Sequence, residues 1–291
     1  MAVASLLSMR IRFWGVRGSI ATSGSEFAKF GGNTTCVEIE AGDQRLIIDA
    51  GTGLRPLGEK LSAQARLLGR EVSATMLFTH LHWDHIQGFP FFGPAYQPTT
   101  ELDLYGPLEE DDVTTLADVL TAQMTPPTFP IGLDAMAASK RFHVIGDQDV
   151  VELGDLVVRA RSLSHPQGSL GYRVDYRGRS LCFATDTEHP SDGSVDEALL
   201  DLARGVDLFV CDAQYTEAEY EGRAAGPPRR GWGHSTYVAA ARTARAAGAR
   251  RLVLTHHDPN HDDEVVEAIE HEAQLLFPAC RAASEAHPLT V

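Results

Sequence analysis

The sequence contains few cysteines, and none of them forms a CxxC pair. Its 291 residues include Cys36, Cys182, Cys211 and Cys280, which are widely spaced. All but Cys36 lie in or beside apolar runs, where a cysteine usually acts as a small buried hydrophobic residue. A chain of this length can bury enough apolar surface to fold without disulfides. The cysteine content therefore fits a reducing compartment.

Positive charge is also scarce. Lysine and arginine total 25 against 40 aspartates and glutamates, which gives a formal net charge of −15. Proteins that bind long nucleic acids more often carry a basic face, so the composition argues against long RNA or DNA as a partner. A small anionic substrate drawn to a local positive site remains compatible with this charge.

Long hydrophobic runs are absent as well. No run reaches the roughly 18 apolar residues that a membrane-spanning helix requires. The N-terminal "MAVASLLSMR" has too short an apolar stretch for a signal peptide, and no basic region precedes it. We therefore expect a cytoplasmic protein without membrane contact. The sequence is compatible with a homo-oligomer and does not decide the point.

Short β-patterned runs alternate with helical ones along the chain. Typical strands are "IRFWGV", "ATMLFTH", "GYRVDY", "SLCFATD" and "RLVLTHH". The helical candidates are "LRPLGEKLSAQARLLG", "DDVTTLADVLTAQM", "STYVAAARTARAAG" with a serine cap, and "DDEVVEAIEHEAQLLF". Strands followed by helices, and the same order again from about residue 145, predict two similar halves packed into one α/β domain that spans residues 1–291.

The stretch "LFTHLHWDHIQGFPFF" places three histidines and an aspartate at the end of an apolar run. These are His80, His82, Asp84 and His85. On an extended strand end, residues two apart point the same way, so His80 and His82 can face one ion. Asp84 and His85 follow round a turn and can reach a second ion. The pattern HxHxDH therefore indicates a metal site.

Other metal-ligand residue types end apolar runs in the same way. "RLIIDAG" leads to Asp49, "RARSLSH" to His165, "SLCFATD" to Asp186 and "RLVLTH" to His256. If the strands lie side by side, these ends can gather at one edge of the sheets. Five histidines and two aspartates there are enough for a pair of adjacent metal sites.

From "IRFWGVRGS" to "LVLTHHDP" the chain resembles the metallo-β-lactamase-fold hydrolases. Within that superfamily it is most similar to the phosphodiesterase branch, which includes tRNase Z and bacterial cyclic-nucleotide phosphodiesterases. The motif "GHST", residues 233–236, carries that closer resemblance. In this branch such a motif donates a catalytic histidine, which implies a role for His234.

The resemblance implies an αβ/βα four-layer sandwich with two divalent metal ions at one edge. One ion would be held by His80, His82 and His165, the other by Asp84, His85 and His256, and Asp186 would bridge them. Asp49 and His257 would support the ligand histidines from behind. A histidine-rich set suits zinc, while the mixture with carboxylates also tolerates manganese or iron.

The implied function is a dinuclear metal-dependent hydrolase, and foremost a phosphodiesterase acting on a small phosphodiester or a cyclic nucleotide. A hydroxide formed from a water that bridges the metals would attack phosphorus, and Asp84 would orient it or accept the proton that this water loses. His234 would stabilise developing charge or protonate the leaving oxygen. The long arm with which tRNase Z grips tRNA has no obvious counterpart in residues 126–145, which also argues against tRNA.

Two other readings stay open. A lactone, ester or thioester hydrolase on the same fold would not need His234. A non-catalytic metal-binding or redox protein would tolerate the loss of Asp84 and His234, although the flavodiiron type carries glutamate where this chain has His82. Arg229 and Arg230 either bind a substrate anion or are simply solvated. Glu188 and His189 are expected in a surface turn.

Overall fold

The computed structural model describes residues 8–108, 113–224 and 226–291. Two seven-stranded sheets face each other, and helices cover their outer surfaces. This confirms the predicted four-layer α/β sandwich. No helix in the described ranges is long and apolar enough to cross a membrane.

The first sheet combines an antiparallel part with a parallel part. Its spatial order is β14-β1-β2-β3-β4-β5-β6, antiparallel from β14 to β3 and parallel from β3 to β6. Its strands are β1 (Met9–Gly15), β2 (Cys36–Ala41), β3 (Gln44–Ile48), β4 (Ser73–Leu77), β5 (Glu101–Gly106), β6 (Ser139–Val144) and β14 (Leu289–Thr290).

The second sheet repeats this plan. Its order is β13-β12-β11-β10-β9-β8-β7, antiparallel from β7 to β10 and parallel from β10 to β13. Its strands are β7 (Val150–Leu153), β8 (Leu156–Leu163), β9 (Ser169–Tyr176), β10 (Arg179–Ala184), β11 (Leu208–Asp212), β12 (Leu252–Thr255) and β13 (Cys280–Ala282). The sequence pattern of two similar halves reflects these two sheets.

Alternation along the strands creates three apolar layers. Leu46 and Ile48 of β3 point into the core between the sheets, whereas Ile47 between them points to the outer face. Each such side chain stabilises the fold by about 1.5–3 kcal/mol when it is fully buried. The helices that cover the outer faces are α1 (Leu54–Leu68), α2 (Trp83–Ile86), α3 (Leu116–Gln123), α4 (Glu197–Ala203), α5 (Glu217–Tyr220), α6 (Tyr237–Ala247) and α7 (Asp263–Leu276).

Two helix starts differ from the sequence prediction. Helix α6 is capped by Thr236 and not by Ser235, because the Ser235 hydroxyl donates to the carbonyl of Thr187 instead. Helix α3 begins after Thr115, whose side chain forms a capping box with Asp118. The acidic residues 111 and 112, which were expected to open that helix, lie outside the described ranges.

Candidate metal centre

The predicted site residues gather at an edge shared by the two sheets. The donor atoms of His80, His82 and His165, here called the three-histidine group, lie within 4.8 Å of one another. The same holds for Asp84, His85 and His256, here called the mixed group. The structure thus places together the two ligand sets that the sequence resemblance implies.

The backbone turns sharply where several of these residues leave their strands. Asp49, Asp186 and His256 follow β3, β10 and β12 with φ angles of 61°, 54° and 62°. Left-handed backbone is uncommon for residues other than glycine, and such strain concentrates at functional sites. At these positions it coincides with the edge where the side chains meet.

Asp186 lies between the two groups. Its Oδ1 atom is 3.7 Å from His80 Nε2 and 4.0 Å from His165 Nε2. Its Oδ2 atom is 3.2 Å from His85 Nε2 and 3.4 Å from His256 Nε2. Each oxygen of one carboxylate therefore faces a different group of histidines.

The outer nitrogen of each histidine in the three-histidine group has a protein partner. His165 Nδ1 donates to the carbonyl of Gly233 at 2.9 Å, and His82 Nε2 lies 2.8 Å from Gln167 Oε1. His80 Nδ1 lies 3.1 Å from the hydroxyl oxygen of Thr79. These bonds leave the inner nitrogens of the group available as ligands.

The mixed group is held in the same manner. Asp49 Oδ2 accepts from His85 Nδ1 at 2.9 Å, and His256 Nδ1 lies 3.1 Å from Gln214 Oε1. The inner Nε2 atoms of His85 and His256 then approach to 3.3 Å. Asp49 thus lies behind His85 and contacts its outer nitrogen, and a carboxylate in that position fixes the tautomer of a histidine.

Buried polar atoms without partners mark the centre of the cluster. His80 Nε2 and Asp186 Oδ2 are buried and make no hydrogen bond. Leaving such atoms unsatisfied costs free energy, which a bound cation would offset. The donor set therefore fits divalent metal ions.

Electrostatics favour an anionic Asp84 and a neutral His80. Burial, together with the charge of His85, lowers the pKa of His80 well below its usual range. Burial alone would raise the pKa of Asp84, but the charge and hydrogen bonds of His85 and His256 outweigh it and hold that pKa well below its usual value. The backbone N–H of Ser19 also donates to Asp84 Oδ2 at 2.8 Å. These are the protonation states in which both side chains can bind a cation.

His234 stands beside the cluster and is oriented by Asp212. His234 Nδ1 lies 3.0 Å from Asp212 Oδ2, and its ring stacks on His256 with centroids 5.0 Å apart. Asp212 also accepts from the backbone amides of Asp186, Gln214 and Ser235. Asp186, Asp212, His234 and His256 form a further set of donor atoms within 4.8 Å.

The sequence did not lead us to predict Asp212. This residue ends the apolar strand β11, just as Asp49 and Asp186 come directly after the apolar strands β3 and β10. Nor did the sequence lead us to predict Gly18 in "GVRGS". A Cβ atom on Gly18 would lie 2.4 Å from His256 Nδ1, so only glycine fits against that ring. This proximity joins residues far apart in the sequence and has no local signal.

Glu188 organises the loop that leads to His234. Its carboxylate accepts from the Tyr220 hydroxyl and the Gly231 amide at 2.6 and 2.7 Å, and from the Gly233 amide at 2.9 Å. Glu188 was expected to lie in a surface turn. The structure instead gives it a positioning role, because it holds the segment immediately before His234.

Arg229 and Arg230 lie on the same loop over aromatic rings. The Arg229 guanidinium carbon is 4.6 Å from the ring centroid of Trp232, and that of Arg230 is 5.6 Å from the ring of Tyr220. Within the described ranges the guanidinium groups of both arginines lie over aromatic rings rather than against a carboxylate. Their positive charge therefore remains available beside the cluster.

His257 differs from its expected supporting role. Its Nε2 atom lies 3.2 Å from the carbonyl oxygen of Ala283, and its ring packs edge-on against Phe30. Burial lowers its pKa to about 3. His257 thus joins the segment after β12 to the segment after β13, and His256 is the member of the pair that faces the cluster.

Two facing mixed sheets with a histidine and aspartate cluster at their shared edge are the architecture of a metal-dependent hydrolase. Residues 44–257 match the family described as beta-lactamase superfamily domain. The chain belongs to this family, whose fold implies divalent metal ions. The resemblance inferred from the sequence is thereby confirmed, as is the assignment to the hydrolases.

Three similar proteins illustrate the relationship. An uncharacterised protein of Mycobacterium leprae is 34% identical over a segment covering 67% of this chain, and that segment spans 64% of the relative's length. Ribonuclease BN of Cronobacter sakazakii is 28% identical, with 74% of this chain and 81% of that protein covered. The metallo-beta-lactamase fold protein YhfI of Bacillus subtilis shares the fold, with a TM-score of 0.70 at 16% identity over 98% of this chain and 100% of that one.

Proposed function

We propose that this protein is a phosphodiesterase with two divalent metal ions and that it acts on a small phosphodiester or a cyclic nucleotide. The division of the Asp186 carboxylate between two histidine groups is the observation that carries the dinuclear proposal. The three-histidine group would hold one ion and the mixed group the other. Zinc is the proposed metal, because five of the seven donors are imidazoles.

The metal ions, when bound, would lower the pKa of a water molecule and neutralise charge on phosphoryl oxygens. The chain itself supplies orientation and proton transfer. Asp84, fixed by the Ser19 amide, would orient the attacking water through its carboxylate. A side chain that orients water beside metal-binding residues is typical of metal-assisted hydrolysis.

His234 supports a phosphodiester over a thioester. Its Nδ1 is fixed by Asp212, so its Nε2 is the atom that can meet a substrate. A protonated imidazole there would donate to the leaving alkoxide, which departs poorly without a proton. Hydrolysis of an activated thioester has less need of such a donor, because a thiolate leaves readily.

Arg229 and Arg230 supply the positive charge that the chain as a whole lacks. We propose that they attract the anionic substrate to the edge where the cluster lies, since unpaired cations in a cleft raise the local concentration of anions. Because one relative is named a ribonuclease, the net charge of −15 does not by itself decide against RNA. The proposal of a small substrate rests on the absence of a recognisable tRNA-binding arm in the sequence.

Metal analysis combined with a substrate panel tests the proposal. We expect about two ions per chain after reconstitution, as the donor set provides for a pair of sites. Bis-p-nitrophenyl phosphate and cyclic nucleotides should be cleaved faster than a lactone or a thioester. A metal content near zero with zinc, manganese and iron would overturn the dinuclear proposal, and faster lactone or thioester cleavage would overturn the substrate class.

A further inference from the structure

A cavity adjoins the cluster on the side away from the arginines. It has a volume of about 470 Å³ and borders the segment Thr79–His82 that follows β4. Its other walls come from the end of β6, the turn after it, and the start of β9. Ligand-binding cavities are usually about 300–1,000 Å³, so this one can take a small organic group.

The described lining residues include no lysine or arginine. Val144, Ile145 and Leu170 give the cavity apolar surface. Asp147, the one carboxylate among the described lining residues, is engaged at Oδ1 by the Ser162 amide at 2.8 Å and by Arg161 at 3.2 Å. Among these residues a second phosphate would meet no lysine or arginine, whereas an uncharged group would meet apolar walls.

An unsatisfied hydroxyl lies in the cavity wall. Ser169 is 4% exposed, and its Oγ atom is buried without a hydrogen-bond partner. Burying a hydroxyl without a partner is unfavourable, so such a group points to a ligand that completes it. The polar group supplied by the ligand would be a hydroxyl, a carbonyl or an amide.

Two glycines that line the cavity have free space where a side chain would otherwise lie. Gly168 has a φ of 82° and no atom within 4 Å of the position that a Cβ would take. For Gly146 the nearest atom to such a Cβ is Asp149 Oδ2 at 3.8 Å. The space above both residues is therefore available to a ligand.

The turn 164–168 lies between this cavity and the loop that carries Arg229 and Arg230. On one side of the turn, His165 bonds the carbonyl of Gly233, which adjoins Trp232 and the arginines. On the other side, Gln167 lines the cavity and bonds His82. The cluster thus has on one side a cavity whose described lining residues include no lysine or arginine, and on the other side the loop that carries Arg229 and Arg230.

We propose that this cavity binds an uncharged alcohol portion of the substrate, of up to nucleoside size, while the phosphodiester group lies at the cluster. The inference rests on the proposed function for its reaction, but the cavity can be tested by binding alone. Ser169 would donate or accept a hydrogen bond to the alcohol portion. Val144 and Ile145 would pack against its ring.

Filling the cavity gives the test. Val144 is 56% exposed on the edge strand β6, so Val144→Trp can be accommodated without disturbing the fold. Val150→Trp on the edge strand β7 is the matched control, since Val150 is 52% exposed and does not line this cavity. The probes are thymidine, which carries no phosphate, and thymidine 5′-(4-nitrophenyl phosphate).

We expect thymidine to bind the metal-loaded wild type, by calorimetry or saturation-transfer NMR. Val144→Trp should weaken that binding about tenfold or more and raise KM for the thymidine diester by a similar factor with kcat little changed. Val150→Trp should change neither. Ser169→Ala should weaken thymidine binding by about fivefold, the worth of one hydrogen bond, without lowering Tm.

The outcomes separate the two proposals. If Val144→Trp and Val150→Trp have equal effects on thymidine binding and on KM, or if thymidine does not bind the wild type, the cavity proposal is overturned. If the wild type cleaves no phosphodiester but thymidine still binds and Val144→Trp removes that binding, the cavity stands and the reaction class falls.

Discussion

Asp212 Oδ2 lies 3.0 Å from His234 Nδ1, and three backbone amides converge on the same carboxylate. The amides hold Asp212 in one place, and Asp212 holds the His234 ring against His256. This arrangement fixes which nitrogen of His234 can reach a substrate.

Asp212→Asn is therefore expected to damage catalysis more than structure. The amide oxygen can still accept from the Gln214 and Ser235 amides, but the NH2 group then replaces the oxygen that accepts from Asp186 and faces His234, and the negative charge is lost. We expect kcat on a phosphodiester to fall by about 10² or more, as when a carboxylate that orients a catalytic histidine is replaced. Tm should fall by only a few degrees, since one backbone hydrogen bond is lost, and metal content should stay near wild type. A loss of metal equal to the loss of activity would contradict this role.

His234→Ala isolates the proton donor. Both metal ions should remain, and turnover should fall by about 10² to 10⁴. The loss should be smaller for a p-nitrophenolate leaving group, which departs unprotonated, than for an alkoxide. Steady-state rates on the two substrates, with metal content measured on the same samples, decide the matter.

His85→Ala is the contrasting variant and should lose metal as well as activity. His271→Ala, at an exposed position of α7, serves as the histidine control and should lose neither. If His234→Ala lowers turnover only slightly, and equally for both leaving groups, His234 has no role as a proton donor. Loss of metal in that variant would instead make it a ligand.

Two neighbouring glycines allow a steric test of the three-histidine group. Gly231 and Gly233 both have positive φ angles, 78° and 84°. A Cβ on Gly233 would lie 2.0 Å from His165 Nδ1, whereas one on Gly231 would meet nothing within 4 Å. Gly233→Ala should lower metal occupancy, and Gly231→Ala should show only the milder cost of backbone strain, about 1 kcal/mol in unfolding free energy. Equal metal content in the two variants would show that His165 is not needed to hold a metal ion.

The proposed preference for small substrates predicts weak tRNA binding. Tight binding requires several phosphate contacts and falls steeply with salt, and the candidate cations beside the cluster are Arg229 and Arg230. A filter-binding titration between about 50 and 200 mM salt should show low affinity and a shallow slope. Tight, steeply salt-dependent binding would contradict the proposed preference for small substrates, because it requires several phosphate contacts.

A pH-dependent contribution to stability is expected away from the cluster, on β5. Hydrogen bonds from Arg141, assisted by His143 and opposed by partial burial, lower the pKa of Asp103 from 3.8 to about 2. Because the pKa is lower in the folded state, this stabilisation is complete above about pH 4 and is lost as pH falls towards 2.

Asp103→Asn should thus reduce the unfolding free energy by about 1 kcal/mol or less at pH 7, since the pair lies near the surface. The difference from wild type should shrink between pH 4 and 2. Urea denaturation at pH 7, 5 and 3 measures it, and a difference that grows with acid would have the wrong sign.

Sequence reasoning reached the fold and the cluster because both depend on local patterns. Apolar runs ending in His80, Asp186 and His256 predict strand ends, and parallel strands bring their carboxyl ends to one edge. Asp212 shares this pattern, but its contact with His234 depends on β11 lying between β10 and β12. That order is decided by strand pairing and not by the sequence of β11.

The contacts made by loops could not be predicted from the sequence. The position of Gly18 against His256 and the three bonds of Glu188 are made between distant segments, so neither leaves a periodic signal. The sequence also did not show that Thr236, and not Ser235, caps α6. Either hydroxyl can cap a helix, but the Ser235 hydroxyl donates a hydrogen bond to the distant carbonyl of Thr187 and is therefore not available as the cap.

The division of the cluster between the two halves has a consequence for biosynthesis. His80, His82, Asp84 and His85 leave the ribosome early, while His165, Asp186 and His256 are translated later. The three-histidine group lacks His165 until that residue has emerged, and the mixed group is not complete until residue 256 has emerged, because each draws one donor from the second half. A nascent chain halted before β12 can therefore chelate only partially, and acquisition of the full metal complement becomes a late event that reports completion of both sheets.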